Sequence, residues 1–323
     1  MGLLVNGKWS EKWYDTSSSD GKFVRSTAGF RNWITRDGSA GATGNAGFKA
    51  ESGRYHLYVS LACPWAHRTL LFRKLKQLSD HISVDVVHPD MLNDGWTFEH
   101  RGPAKGDSLF NSKFLRDIYL RVDDQMSGRV TVPILWDKHT NKIVSNESSE
   151  IIRMFNSAFN DITGNTDDYW PTELHDDIDA VNARIYSNIN NGVYKAGFAT
   201  TQAAYDDAVG ALFETMDWLE THLAENRYLL GDRITEADWR LFPTLVRFDP
   251  VYVLHFKCNR NRVVDFPNIW AYARELYQWH GVADTINLDH IVRHYHYSHE
   301  TINPNRIIPI NPVIDWNEPH GRG

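Results

Sequence analysis

Cysteine is nearly absent: Cys63 and Cys258 are the only two in 323 residues. Two cysteines cannot build a disulfide framework, which fits a reducing compartment. No apolar run approaches the roughly 20 residues a bilayer-spanning helix needs. The opening stretch Met1-Gly2-Leu3-Leu4-Val5-Asn6-Gly7 lacks the basic-then-apolar order of a signal peptide. A cytoplasmic protein without membrane contact is expected. Long basic runs are missing too, and a net charge of −7 argues against a nucleic-acid surface. None of the 15 histidines forms a His-x-x-x-His spacing around an acid, and Cys258 has no matching ligand, so no metal is expected. Internal repeats and low-complexity tracts are absent as well.

Aromatics, in contrast, are abundant: 12 Trp, 14 Tyr and 15 Phe could serve a core, an interface or a site for a flat ligand. Against this background Cys63 stands out. Tyr55-His56-Leu57-Tyr58-Val59 has the aromatic and β-branched pattern of a half-buried strand. Cys63-Pro64-Trp65-Ala66-His67-Arg68 then opens a run with Leu70, Leu71 and Leu75 at helical spacing. Pro64 suits the first helical position, which places the Cys63 sulfur at the helix N-terminus, where N–H groups and dipole favour an anion. A thiol of ordinary pKa about 8.5 can fall to roughly 3.5–7.5 in such a setting. Ala66 occupies the position where a dithiol redox motif carries its second cysteine. A lone cysteine also packs often as a small apolar group, so position alone leaves a reactive and a structural role evenly matched.

The chain length suggests two domains. Residues 1–50 read as an irregular N-terminal extension, with a Gly-rich loop from Gly38 to Gly47. Residues 51–165 read as a β-α-β…β-β-α domain. Its second strand is Ile82-Ser83-Val84-Asp85-Val86-Val87, and an insertion over 88–128 carries a short helix from Ser112 to Tyr119. A third strand, Arg129 to Trp136, is interrupted by Pro133, which marks an edge, a bulge or a cis turn. Lys142-Ile143-Val144-Ser145 pairs with it as a hairpin, and Asn146-Glu147-Ser148-Ser149-Glu150 opens the next helix. Residues 170–323 read as all-helical. Helices are expected over Leu174–Asn190 and Gln202–Leu223, with a sharp start at Thr235 capped through Asp238 and stapled by Ile234 and Trp239. A last helix over Ile269–Tyr277 precedes an irregular tail rich in Tyr, His and Pro.

An α/β thioredoxin-like N-terminal domain followed by an all-α C-terminal domain resembles the glutathione transferase fold. More narrowly, four strings are similar to the glutathionyl-hydroquinone reductases, the Xi class: Tyr-Val-Ser-Leu-Ala-Cys-Pro-Trp-Ala-His-Arg, Gly-Trp-Thr-Phe, Asn-Asn-Gly-Val-Tyr-Lys-Ala-Gly-Phe-Ala and Val-Arg-Phe-Asp-Pro-Val-Tyr. The resemblance runs from near the N-terminus to Thr301-Ile302-Asn303-Pro304.

What the resemblance implies is reduction of glutathionyl-hydroquinones by glutathione, through a mixed disulfide on Cys63. Such chemistry needs one thiolate and no resolving cysteine, because a second glutathione resolves the disulfide. The resemblance places glutathione along Arg129, Val130, Thr131 and Val132, with Val132 offering backbone bonds beside Pro133. It seats the γ-glutamyl end at Glu147 and Ser148, where a helix start favours a carboxylate, and adds Trp96. Taken singly, Glu147 and Ser148 are ordinary capping residues, Arg129 a surface charge and Trp96 a packing residue. Tyr194 is the implied proton donor to the ring carbon that loses sulfur, and Tyr252 and Tyr295 line the pocket and lower the thiolate pKa. His67 and Arg68 are read as structural. Glutathione is the co-substrate, and a homodimer through the helical half and tail is implied. Two alternatives share Cys63: an omega-like thioltransferase or dehydroascorbate reductase, and a non-catalytic glutathione-binding scaffold.

Overall fold

The computed structural model describes residues 2–323. The chain forms two compact units. The first takes residues up to Trp13, Ser26–Asp167 and Thr285–His294; the second takes Tyr14–Arg25, Asp168–Asp284 and Tyr295–Gly323. Both ends of the chain therefore contribute to both units, where sequence reading expected linear boundaries near residues 50 and 170.

In the first unit, β1 (Leu3–Val5) and β2 (Lys8–Ser10) form an antiparallel hairpin. Residues 1–50 are thus not wholly irregular. The signal was Asn6-Gly7, with φ of 46° and 74°, flanked by apolar residues. A Cβ on Gly7 would lie 1.9 Å from the Asp124 carbonyl oxygen, so only glycine fits this turn.

The main sheet contains β3 (Tyr55–Val59), β4 (Ile82–Val86), β6 (Ile134–Asp137) and β7 (Lys142–Ser145) in the order β4-β3-β6-β7. β3 and β4 pair in parallel across α1 (Pro64–Leu75), and the other pairs are antiparallel. Every residue of β3 is buried, which explains its continuous apolar and aromatic run. The insertion holds α2 (Leu115–Leu120), shorter than the expected 112–119 because Ser112 and Asp117 have other duties. The Ser112 N–H donates to Asp107 at 3.0 Å, and Asp117 accepts from the Phe114 N–H at 3.0 Å, which starts the helix there.

The expected third strand is two pieces. β5 (Gly128–Arg129) pairs with β1 in the small sheet β2-β1-β5, and β6 begins only after Pro133. Proline has no N–H for a ladder, and the Val132–Pro133 bond is cis. α3 (Ser148–Ser157) packs against α1, followed by the short α4 (Asn160–Thr163).

The second unit is helical: α5 (His175–Ile185), α6 (Gly192–Gly197), α7 (Gln202–Glu225), α8 (Glu236–Arg247) and α9 (Pro267–Gln278). The expected 174–190 helix changes to a π-helical turn over Tyr186–Asn190, and a second π turn covers Phe248–Tyr252. Such turns recur at functional sites, and these two lead to Tyr194 and contain Tyr252. α8 starts as read: Asp238 accepts from the Thr235 N–H at 2.8 Å.

The tail after α9 is not irregular throughout. α10 (Leu288–Ser298) follows, with Asn287 accepting the His290 N–H at 2.8 Å at its start. Ile291, Val292 and Tyr295 are buried at helical spacing. The neighbouring histidines, also mostly buried, obscured that period in the sequence. No helix among the described residues is long and apolar enough to cross a membrane.

Candidate active site

In the first unit Cys63 is the N-cap of α1, in extended backbone at φ −76° and ψ 122°, and its side chain is half-buried. Its carbonyl starts the helix by accepting the His67 N–H at 3.0 Å. Sγ lies 3.7 Å from the Val132 carbonyl oxygen. The sulfur is therefore held between a helix N-terminus and the backbone that precedes the cis proline. Neither Cys63 nor Cys258 is in a disulfide. Burial pushes the Cys258 thiol far above its ordinary range, which disfavours its thiolate. Among the described residues no His, Cys, Asp and Glu group could hold a metal.

Val130 and Val132 are buried. Thr131 is held from below, its carbonyl accepting the Tyr119 hydroxyl at 2.8 Å. Arg129, in β5, donates to the Lys12 carbonyl at 2.7 Å. Glu147 caps α3, accepting the Ser149 N–H at 3.0 Å and hydroxyl at 2.8 Å, and Ser148 is buried at the first turn. The α3 N-terminus nonetheless remains a place where a carboxylate is favoured. Arg31 pairs with Glu150 through Nε and Nη2, and the Glu150 and Glu147 carboxylates hold its pKa above the ordinary value against the opposing effect of burial. Nothing in the sequence links Arg31 to Glu150, because they meet only through folding.

Trp96 is buried, and its indole stacks on the His294 ring at 4.8 Å and 21°. His294 Nδ1 lies 2.7 Å from the Pro89 carbonyl oxygen, and Arg293 grips Asp90 through two bonds of 2.6 Å. Trp96 is thus held from two sides, by His294 of α10 on its ring and by the Leu115 N–H of α2, which donates to its carbonyl at 3.0 Å. His67 bonds Thr285 at 2.7 Å, and the Arg68 guanidinium lies 4.6 Å from the Trp65 ring centroid.

The second unit brings together the three tyrosines singled out in the sequence. The Tyr194 and Tyr295 hydroxyl oxygens are 2.5 Å apart, and those of Tyr252 and Tyr295 are 3.2 Å apart. Phe256 packs on all three rings, at 5.4, 5.5 and 5.7 Å. Burial pushes the Tyr252 and Tyr295 hydroxyls well above the usual phenol range, and the neighbouring Tyr194 oxygen adds to the rise. Both hydroxyls therefore favour the protonated form, and in each pair either oxygen is able to donate. Tyr194 is the most accessible of the three, 8% exposed against 0% and 1%. The cluster can therefore hold a phenol whose oxygen is supported by a second hydroxyl when it loses its proton.

The family models described as the N-terminal and C-terminal domains of glutathione S-transferase match residues 62–158 and 202–275. Among curated proteins, the glutathionyl-hydroquinone reductase YqjG of Escherichia coli is 57% identical over 323 residues, covering 100% of this chain and 98% of its own. The glutathionyl-hydroquinone reductase PcpF of Sphingobium chlorophenolicum is 50% identical, covering 97% of each chain. A glutathione-bound structure of the E. coli protein matches with a TM-score of 0.92 at 54% identity, over 99% of this chain and 98% of that one. The Xi-class transferase of Natrialba magadii matches with a TM-score of 0.93 at 46% identity, over 100% and 97%.

Proposed function

The chain belongs to the glutathionyl-hydroquinone reductases, the Xi class of the glutathione transferase family, and from that premise we propose that Cys63 is its nucleophile and Tyr194 its proton donor. The substrate is a hydroquinone carrying glutathione through a ring carbon–sulfur bond. The Cys63 thiolate attacks the glutathionyl sulfur. A sulfur–sulfur bond forms, the carbon–sulfur bond breaks, and its electron pair stays on the ring carbon. Tyr194 protonates that carbon and the free hydroquinone leaves. A second glutathione then attacks the mixed disulfide, returning Cys63 as thiolate and releasing glutathione disulfide. Its thiol proton restores Tyr194. The ring gains two electrons, and the ring-bound thioether sulfur and one glutathione thiol sulfur become one disulfide.

The observation that carries this reading is the single thiol at the N-terminus of α1, 3.7 Å from the Val132 carbonyl, with Ala66 where a resolving cysteine would stand. A glutathione whose cysteinyl backbone bonds Val132 brings its sulfur to that thiol. Its γ-glutamyl carboxylate takes the α3 N-terminus at Ser148, beside Glu147, and Trp96 and Arg129 flank the peptide. Tyr252 and Tyr295 line the hydroquinone side as donors. The protein works as a cytoplasmic homodimer, and light scattering that finds only a 37.2 kDa species contradicts the dimer.

The test is turnover of a glutathionyl-menadiol adduct with excess glutathione. Wild type releases menadiol and glutathione disulfide in equal amounts, and Cys63→Ala does not. Release by Cys63→Ala at the wild-type rate overturns the assignment. Activity only on mixed disulfides or dehydroascorbate moves the protein to the omega-like alternative.

A further inference from the structure

We infer that Arg25 is a positioning residue for the proton-transfer step: its guanidinium, held over the Tyr194 ring, stabilises the phenolate Tyr194 becomes when its proton leaves. The inference rests on Tyr194 being the donor. Arg25 lies in the Tyr14–Arg25 segment, which belongs to the same compact unit as Tyr194 although Arg25 stands 169 positions before it in the chain. The guanidinium carbon sits 4.7 Å from the Tyr194 ring centroid and 5.2 Å from that of Phe23. Nε donates to the Asn191 side-chain oxygen at 2.9 Å. Asn191 is itself buried, and its carbonyl accepts the Tyr194 N–H at 3.1 Å. Cation and phenol are thus tied to one turn of backbone, and Phe23 packs against the Tyr194 ring at 6.4 Å.

A cation over an aromatic face is attracted by the ring quadrupole. Once the phenol ionises the attraction becomes one between full charges, so the contact favours the phenolate over the phenol. A donor whose conjugate base is stabilised delivers its proton faster. Arg25 is a cation placed over the Tyr194 ring itself. Arg247 donates to the Pro243 carbonyl at 2.8 Å and favours ionisation of Tyr252 and Tyr295, but burial outweighs it and holds those two hydroxyls well above the usual phenol range. The Lys195 ammonium donates to the Ser187 carbonyl at 2.9 Å. His255 and His299 bond each other at 3.0 Å and pack on Phe256 and Tyr295.

Single-turnover release of menadiol from its glutathionyl adduct, without added glutathione, isolates the proton-transfer step. Resolution of a preformed Cys63–glutathione disulfide by glutathione needs no proton on carbon. Arg25→Gln is expected to slow release by about 3- to 30-fold and move its alkaline limb up by about one pH unit. Resolution of a disulfide prepared with Tyr194 already reprotonated by solvent should stay within about twofold, since Tyr194 then neither gains nor loses a proton. Arg25→Lys should recover most of the rate, because it keeps the cation. Asn191→Ala, which loosens the tether, should shift release in the same direction and serves if Arg25→Gln does not fold. Tyr194→Phe, run in parallel, should slow release and remove the limb. If Tyr194→Phe is impaired but Arg25→Gln matches wild type, the inference alone fails. If Tyr194→Phe releases menadiol normally, the donor assignment fails and takes the inference with it. Equal slowing of both steps by Arg25→Gln, with the limb unmoved, makes Arg25 a structural strut and overturns the proposal.

Discussion

Asp238→Asn tests whether one buried carboxylate anchors the second unit. One Asp238 oxygen accepts the Leu229 N–H at 2.9 Å and the Tyr272 hydroxyl at 2.8 Å. The other accepts the Thr235 N–H at 2.8 Å and the Thr235 hydroxyl at 3.1 Å. Asparagine keeps the shape but turns one acceptor into an NH2 donor. Whichever way the amide lies, one backbone N–H and one hydroxyl lose their acceptor. The hydroxyl can rotate and the N–H cannot. A buried N–H without a partner costs about 1–3 kcal/mol, and losing charge assistance at the surviving bonds adds about 1 kcal/mol. Burial works in the opposite direction, raising the Asp238 carboxyl above its ordinary range, so neutral asparagine escapes part of that penalty. The net expectation is a loss of about 2–4 kcal/mol. At about 2–4 °C per kcal/mol for a unit of this size, Tm falls by about 4–16 °C. Guanidinium unfolding followed by far-UV circular dichroism gives the free energy, and calorimetry gives Tm. Thr235→Ala removes only the hydroxyl and should cost about 1 kcal/mol. An Asp238→Asn loss smaller than that of Thr235→Ala would refute the hydrogen-bond accounting.

Two further expectations concern the first unit and the tyrosine cluster. Burial pushes the Asp137 carboxyl up, but Arg54 (2.7 and 2.8 Å), the Thr140 hydroxyl and the His139 N–H outweigh it and hold the group below its ordinary value. With a folded pKa below the unfolded value of about 3.9, its stabilisation is complete above that pH and is lost as pH falls through the folded pKa. Asp137→Asn should therefore cost about 2–3 kcal/mol at pH 7 by leaving Arg54 with only Glu51 at 3.4 Å as counter-charge, with the gap to wild type narrowing below about pH 4; urea midpoints equally far apart at pH 3 and pH 7 contradict this. At Gly197, an added Cβ would stand 2.1 Å from a Phe256 ring carbon. Gly197→Ala should cost about 1–3 kcal/mol by overpacking and lower kcat, because Phe256 packs on Tyr194, Tyr252 and Tyr295; unchanged kcat and Tm would show that Phe256 has room to move.

Local rules carried the sequence reading where the determining residues are neighbours. Pro64 after Cys63 sets a helix start at the thiol, Thr235 with Asp238 sets another, and Ala66 leaves Cys63 without a second cysteine in its own turn. Asn6-Gly7 held an equally local signal for the first hairpin. The long strings around Cys63, Tyr194 and Tyr252 carried the family. The tertiary structure decided what depends on residues far apart in the chain. Pro133 could have been an edge, a bulge or a turn, and the pairing of Arg129 with Leu3 sends the strand before it into another sheet. His294 reaches Trp96 and Tyr295 reaches Tyr194 only because the polar-looking tail winds into α10 and buries its histidines. Arg25 meets Tyr194 through no pattern in the sequence, since a cation over a ring is a contact made in space and leaves no period along the chain.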